Sequence, residues 1–125
     1  MHPDVAELLV TLALTGCRIG EVCALQRDDV LVEQRRLRVA RAYVHGEICS
    51  TKTGHVRHVD MSSRLTALMA RRVRFIPTEW IFFAWREPTR PITPETVRKA
   101  ARQICRAARI EYLNPLGCDI SGQRP

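Results

Sequence analysis

Lysine is almost missing from this basic chain: Lys52 and Lys99 are the only two, so arginine supplies nearly all of the 20 Lys+Arg residues set against 13 Asp+Glu. A net charge of +7 built this way favours planar forks for phosphate over general solubility. Long apolar runs are also lacking. The best candidate, Val5 to Leu14, is too short to span a bilayer, contains Glu7 and has no basic segment ahead of it, which argues against a membrane helix and a secretory leader alike. The five cysteines never form C-x-x-C and never stand near a histidine pair at zinc spacing. No metal site is therefore expected, and the thiols read as free in a reducing cytosol. Aromatic content is only 6%, and Trp80, Phe82 and Phe83 sit in a run that reads as buried, which leaves no stacking platform for single-stranded RNA. Internal repeats and low-complexity tracts are lacking too. One cytoplasmic domain with a polyanionic partner is the expectation for 125 residues at 46% hydrophobic content. Basic ribosomal and membrane-surface proteins share this charge, which therefore sets a class of partner and not an identity.

The segment Thr15-Gly16-Cys17-Arg18-Ile19-Gly20-Glu21 is the most informative part of what is present. Val5 to Leu14 reads as a buried helix ending at Gly16, followed by an amphipathic turn from about Arg18 that buries Ile19, Val22 and Leu25. A cation at a helix start opposes the helix dipole by roughly 0.3–1 kcal/mol, whereas an anion there gains from free N–H groups and from a guanidinium fork. Two readings stay open. Arg18 holds a phosphate with Glu21 orienting the guanidinium from behind, or it is a surface residue paired with Glu21 on the same helix face.

Further on, Leu37 and Val39 alternate with Arg36, Arg38 and Arg41, which predicts a half-buried strand with a basic outer face. Strands are also expected at Glu47–Thr51 and Val56–Met61, joined by a hairpin turn at Lys52-Thr53-Gly54-His55, giving a three-stranded antiparallel sheet. Ser62 or Ser63 caps a helix burying Leu65, Leu68, Met69 and Val73, with Arg64, Arg71, Arg72 and Arg74 facing out. Pro77 ends it, Trp80 to Phe83 packs as a buried extended segment, and Arg86 to Ile92 reads as a loop. Thr93 as N-cap and Pro94 at the first position start a helix with an apolar stripe of Val97, Ala101, Ile104 and Ala108. Its other face carries Arg98, Arg102, Arg106 and Arg109, with Lys99 beside them and no acid between Val97 and Ile110. This is either a solvated face or a ridge for a nucleic-acid backbone, and the missing acids favour the ridge.

In this order the segments resemble the catalytic domain of the tyrosine recombinases, the phage-integrase family of DNA breaking and rejoining enzymes. Thr15 to Glu21 is similar to that family's first arginine box. Thr51-Lys52-Thr53-Gly54, followed by Arg57, Val59 and Met61, resembles its lysine-bearing hairpin, with Asp60 standing where the family often has proline. The resemblance runs to Pro115 and implies an α+β fold, a mostly helical catalytic core around a small three-stranded antiparallel sheet. It implies site-specific DNA recombination or integration through a phosphotyrosine intermediate. Arg18 would clamp the scissile phosphate, Glu21 would support it, and Lys52 would donate a proton to the leaving 5′-hydroxyl. The implied partners are double-stranded DNA and other recombinase protomers; no metal, nucleotide or other cofactor is implied, since the phosphotyrosine bond stores the energy for rejoining.

The family's His-x-x-Arg box, a later His or Trp and the tyrosine nucleophile have no match in this sequence. Tyr43, between strands, and Tyr112 stand elsewhere and read as packing residues, and His55 and His58 as partly exposed residues of the hairpin. The chain alone is therefore expected to be a catalytically incomplete remnant, with residues 1–115 as a partial catalytic domain and Leu116–Pro125 as a disordered tail. Restoring one base in the codon after Pro115 lets the tail's degenerate codons spell histidine, then leucine, arginine, histidine and tryptophan in that order. That order resembles the missing box, and the nucleotide sequence decides whether a frameshift lies there. The rival expectation is a non-enzymatic DNA-binding protein that occupies recombination sites or modulates an intact recombinase. A third, an RNA-binding accessory protein, is disfavoured by the lack of an aromatic platform.

Overall fold

The computed structural model describes residues 3–50 and 56–108. Lys52 and its expected turn, Arg109, Tyr112 and the tail from Leu116 lie outside the described residues. Helix α1 (Pro3–Thr15) ends as its sequence directs: Gly16 takes φ 72° and its N–H returns to the Leu12 carbonyl at 2.9 Å. A left-handed residue just past the last turn is the usual glycine stop. The five-residue helix α2 (Ile19–Cys23) follows and buries Ile19 and Val22. A 3₁₀ turn at Arg27–Asp29 then leads into five short strands, β1 (Val30–Leu31), β2 (Arg36–Val39), β3 (Arg41–Val44), β4 (Glu47–Ser50) and β5 (Arg57–Asp60).

A three-stranded antiparallel sheet is present, in the order β1-β2-β5, with Leu37 opposite both Val30 and Val59. Its membership differs from the expectation. Strand β4 pairs with β3 in a separate two-stranded ribbon, with Ala42 opposite Cys49, and Tyr43 lies inside β3 instead of between strands. The connection is the two-residue turn His45-Gly46, both with positive φ (49° and 82°). That is the backbone a tight hairpin demands, because it matches the twist of the strands, and histidine tolerates it better than most side chains.

Helix α3 (Ser63–Phe75) is capped by Ser62, whose Oγ accepts the Leu65 N–H at 3.1 Å. It buries Leu65 and Met69 as expected, but Arg72 lies inward, only 6% exposed, and not on the outer face with Arg64, Arg71 and Arg74. Its guanidinium donates to the Ile81 carbonyl at 2.7 Å, pairs with Asp4 at 2.9 Å and Glu7 at 2.6 Å, and lies 4.4 Å over the Phe82 ring. Arg71 also pairs with Glu7, so α1 and α3 are joined by charge as well as by packing. The expected loop after Phe83 is a ribbon of β6 (Phe83–Ala84) and β7 (Glu87–Pro91). Two-stranded ribbons leave outer edges unpaired, which is where prolines such as Pro88 and Pro91 are tolerated. Helix α4 (Pro94–Ala108) starts with Thr93 Oγ1 accepting the Thr96 N–H at 3.2 Å; Val97 and Ala101 are buried, Ile104 is half-buried and Ala108 is exposed. One core joins Leu8 of α1, Ile19 and Val22 of α2, Leu37 and Val39 of β2, Leu65 and Met69 of α3, and Ile81, Phe82 and Val97.

Arg27 closes the far end of α3. Its guanidinium donates to the carbonyls of Val73 (2.6 Å), in the last turn, which the helix end leaves without a partner, and of Ile76 (3.2 Å) and Thr78 (3.1 Å), which follow the helix. Arg27→Ala is expected to lower unfolding stability by about 2 kcal/mol in a denaturant melt, since hydrogen bonds to a charged donor are the strong ones. Among the described residues no helix is long and apolar enough to cross a membrane.

Candidate functional site

The two glycines of the Thr15–Glu21 segment act differently. Gly16 supplies the turn out of α1; Gly20 supplies contact, because a Cβ there would stand 2.6 Å from the Tyr43 carbonyl oxygen. Helix α2 therefore lies backbone to backbone on β3. Between α2, the tip of the β3–β4 hairpin and the first turns of α4 is a cleft of about 560 Å³, whose walls include Arg18, Tyr43, His45, Glu95 and Arg98.

Arg18 is extended (φ −76°, ψ 152°) and exposed at the start of α2, and among the described residues its guanidinium makes no hydrogen bond or ion pair. The expected welcome of the helix start is partly spent: the N–H groups of Glu21 and Val22 both return to the Arg18 carbonyl, at 3.0 and 3.1 Å. Anion affinity here falls mainly to the side chain.

Glu21 holds the Arg18 backbone. One carboxylate oxygen accepts the Arg18 N–H at 3.0 Å, and both accept from Arg57 of β5 at 2.9 Å. This planar bidentate pair is the strong form of ion pair. The same guanidinium reaches the Cys17 sulfur at 3.8 Å. Burial pushes the Glu21 carboxyl up, but the Arg57 hydrogen bonds, the Arg18 N–H and the charges of both arginines outweigh it and hold the carboxyl below its ordinary value; Glu21 in turn raises Arg57. A carboxyl lowered by folding contributes stability above its unfolded pKa and loses it as pH falls through the folded one. The stability gap between the wild type and Glu21→Gln is therefore expected to be widest near neutrality and to close as pH falls through and below the ordinary carboxylate range, as read from unfolding curves at several pH values.

Arg98 is half-buried on α4 and, like Arg18, has no hydrogen-bond or ion-pair partner among the described residues. Its charge is felt at Cys23, whose thiol is pushed up to about 12 by burial, against the opposing pull of that guanidinium. Lys99, Arg102 and Arg106 are exposed on α4. The structure thus divides the expected ridge: Arg98 lines the Arg18 cleft, while Lys99 borders a separate groove with Val5, Trp85 and Ile104. The sequence reading missed the Arg57 partnership and the Asp29 clamp. Asp29, 1% exposed, accepts from Arg41 at 2.7 Å, Arg38 at 3.4 Å and the Gln26 N–H at 2.9 Å, so part of the basic face of β2 and β3 is neutralised from within. Among the described residues no group of three His, Cys, Asp or Glu could hold a metal ion.

The phage integrase family profile matches residues 5–117. The fold is similar to that of the Tn1549 transposon integrase in complex with circular intermediate DNA, with a TM-score of 0.74 at 20% identity over 87% of this chain and 42% of that one. The same integrase in complex with transposon right end DNA gives 0.69 at 20% identity, over 90% of this chain and 42% of that one. XerA recombinase gives 0.66 at 20% identity, over 90% of this chain and 43% of that one. The chain spans about two fifths of the length of these solved chains. No curated protein matches it by sequence. With the profile covering nearly the whole described chain and its fold found in recombinases, this protein belongs to the phage integrase family.

Proposed function

We propose that this chain is the phosphate-holding part of a tyrosine-recombinase catalytic domain, contained in residues 1–115, and that it serves site-specific breakage and rejoining of double-stranded DNA. The observation that carries this reading is Arg18: a guanidinium without a protein partner, in a cleft, on a backbone fixed by Glu21 and Arg57. Solved relatives of the same fold in complex with DNA support the choice of ligand. In this role Arg18 donates its N–H groups to the non-bridging oxygens of the scissile phosphate and stabilises the charge that grows on them as phosphorus becomes pentacoordinate. Lys52, by family resemblance, donates the proton that the leaving 5′-oxygen needs. The nucleophile comes from outside this sequence's matched motifs, and the exposed α4 residues Lys99, Arg102 and Arg106, with Arg109 by sequence position, contact the flanking backbone.

A second reading is favoured by Tyr43, whose partly buried side chain packs against the core. With that tyrosine committed to packing, the chain by itself is a DNA-binding protein that occupies recombination sites or pairs with intact recombinase protomers. One experiment separates the two. Wild type and Arg18→Gln are mixed with duplex DNA across a salt series, alone and with an intact recombinase of the same fold, and scored for binding and for covalent protein–DNA adduct. Salt-sensitive binding is expected, with log affinity falling by about 0.9 per phosphate neutralised per decade of salt. A binding-only protein loses only modestly on Arg18→Gln and yields no adduct in any mixture. A catalytic part loses adduct in the mixed assay far more than it loses binding.

A further inference from the structure

We propose that Arg98 is a second phosphate-holding residue, and that Arg18 and Arg98 grip one phosphodiester of a DNA strand from two sides of the cleft. The inference rests on the DNA reading above for the identity of its ligand only. Its ground is how the arginines are spent. Among the described residues, Arg27 is engaged by three carbonyls, Arg36 by Asp60, Arg38 and Arg41 by Asp29, Arg57 by Glu21, and Arg71 and Arg72 by Glu7. Arg35, Arg64, Arg86, Arg90 and Arg106 also have no such partner but stand outside the cleft; Arg18 and Arg98, from distant parts of the chain, are the two unpartnered arginines that line it together among the described residues.

Two like charges facing one concavity repel, and a fold normally relieves this with a carboxylate. Two carboxylates line the cleft and neither forms an ion pair with Arg18 or Arg98 among the described residues; the Glu21 charge is felt by Arg18 but is shared with Arg57. Glu21 is occupied by Arg57, and Glu95, one turn before Arg98, forms no ion pair among the described residues. The site is complementary to an anion arriving from solvent. A phosphodiester fits it best: its two non-bridging oxygens diverge, so each can accept a separate guanidinium fork, and a cleft of about 560 Å³ has room for the adjoining sugars as well. The role differs from that of Arg106, which is exposed on α4 and is not part of the cleft wall.

The full chain is tested with two probes, inorganic phosphate and a short DNA duplex, after thermal unfolding has established that each variant folds. Phosphate is titrated while the guanidinium Nε–H resonances are followed by NMR. Both the Arg18 and Arg98 signals are expected to shift together and saturably, and Arg98→Gln is expected to abolish the Arg18 response. On duplex DNA, Arg18→Gln and Arg98→Gln each weaken binding roughly tenfold. The double variant loses clearly less than the product of the two, because both side chains had served one phosphate, whereas Arg18→Gln and Arg106→Gln multiply. Arg98→Lys, which keeps the charge and loses the fork, restores part of the affinity. If Arg98→Gln and Arg18→Gln also multiply, and phosphate leaves the Arg98 signal in place, Arg98 belongs to the outer ridge and the inference is overturned. A coupled phosphate response without duplex binding keeps the two-arginine seat and overturns the DNA reading instead.

Discussion

Replacing Arg72 with alanine is expected to cost about 3–5 kcal/mol of unfolding free energy, a large share of what holds a domain of this size together. Its side chain is 5% exposed and is the common partner of Asp4, Glu7 and the Ile81 carbonyl. Truncation would leave two carboxylates facing each other across a shallow space, one buried carbonyl without a donor, and the Phe82 ring without its cation. The loss would loosen α1 from α3, and α1 leads directly into the Arg18 turn. Urea unfolding followed by circular dichroism measures this. Arg64→Ala, on the exposed side of the same helix, is the control and should change stability by no more than about 0.5 kcal/mol. A loss below about 1 kcal/mol for Arg72→Ala would mean that the cluster is replaceable by solvent.

The second large effect is expected at Gly20. A methyl group there meets the Tyr43 backbone oxygen at 2.6 Å, and backbone cannot rotate aside as a flexible side chain could. Gly20→Ala should therefore force α2 off β3, lower stability by about 2–3 kcal/mol and weaken phosphate binding, because the two elements form adjoining walls of the cleft. Gly16 offers a comparison within the same seven residues. Nothing lies within 4 Å of a Cβ at that position, but its φ is 72°, so Gly16→Ala pays a torsional cost of about 1–2 kcal/mol. Asparagine separates the causes. Gly16→Asn should recover much of the Gly16→Ala loss, since asparagine tolerates left-handed backbone; Gly20→Asn should be worse than Gly20→Ala, since space is what is missing there. Thermal melts of the four variants decide it.

Helix positions and caps were legible from local chemistry. Gly16, Ser62 and Thr93 each mark a helix boundary by what their backbone or hydroxyl can do, and each does so in the structure. Strand partnership was less legible. Glu47–Ser50 and Arg57–Asp60 flank a glycine-bearing turn signal, and that signal suggested that they pair with each other. Strand β4 instead pairs back across His45-Gly46, a two-residue turn whose first member is an unusual choice. Sequence spacing registers where turns are favoured, but which edge accepts a strand depends on the core beneath it. Arg72 was misjudged for a different reason. Leu65, Met69 and Arg72 follow the spacing i, i+4, i+7, so the helical period placed it on the core face; its charge argued the other way, and only the distant Asp4 and Glu7 make burial tolerable.

The cleft was half legible. The arginine box announced Arg18 through its odd placement, and the acid-free stretch of α4 announced Arg98, but nothing in their spacing says that the two meet. That depends on Gly20 letting α2 settle on β3. Glu21 was expected to orient or pair with the Arg18 guanidinium; it instead accepts the Arg18 backbone N–H, and its bidentate hold on Arg57 joins α2 to a strand that the sequence leaves far away.

The buried Cys23 has a practical consequence. It belongs to α2, is fully enclosed, and its thiol is pushed up to about 12 by burial, so an alkylating reagent reaches a reactive thiolate only after α2 has come away from its neighbours. Cys49, exposed on β4, reacts at once and provides an internal clock. The ratio of the two labelling rates therefore reports how often the element carrying Arg18 opens, without any introduced probe.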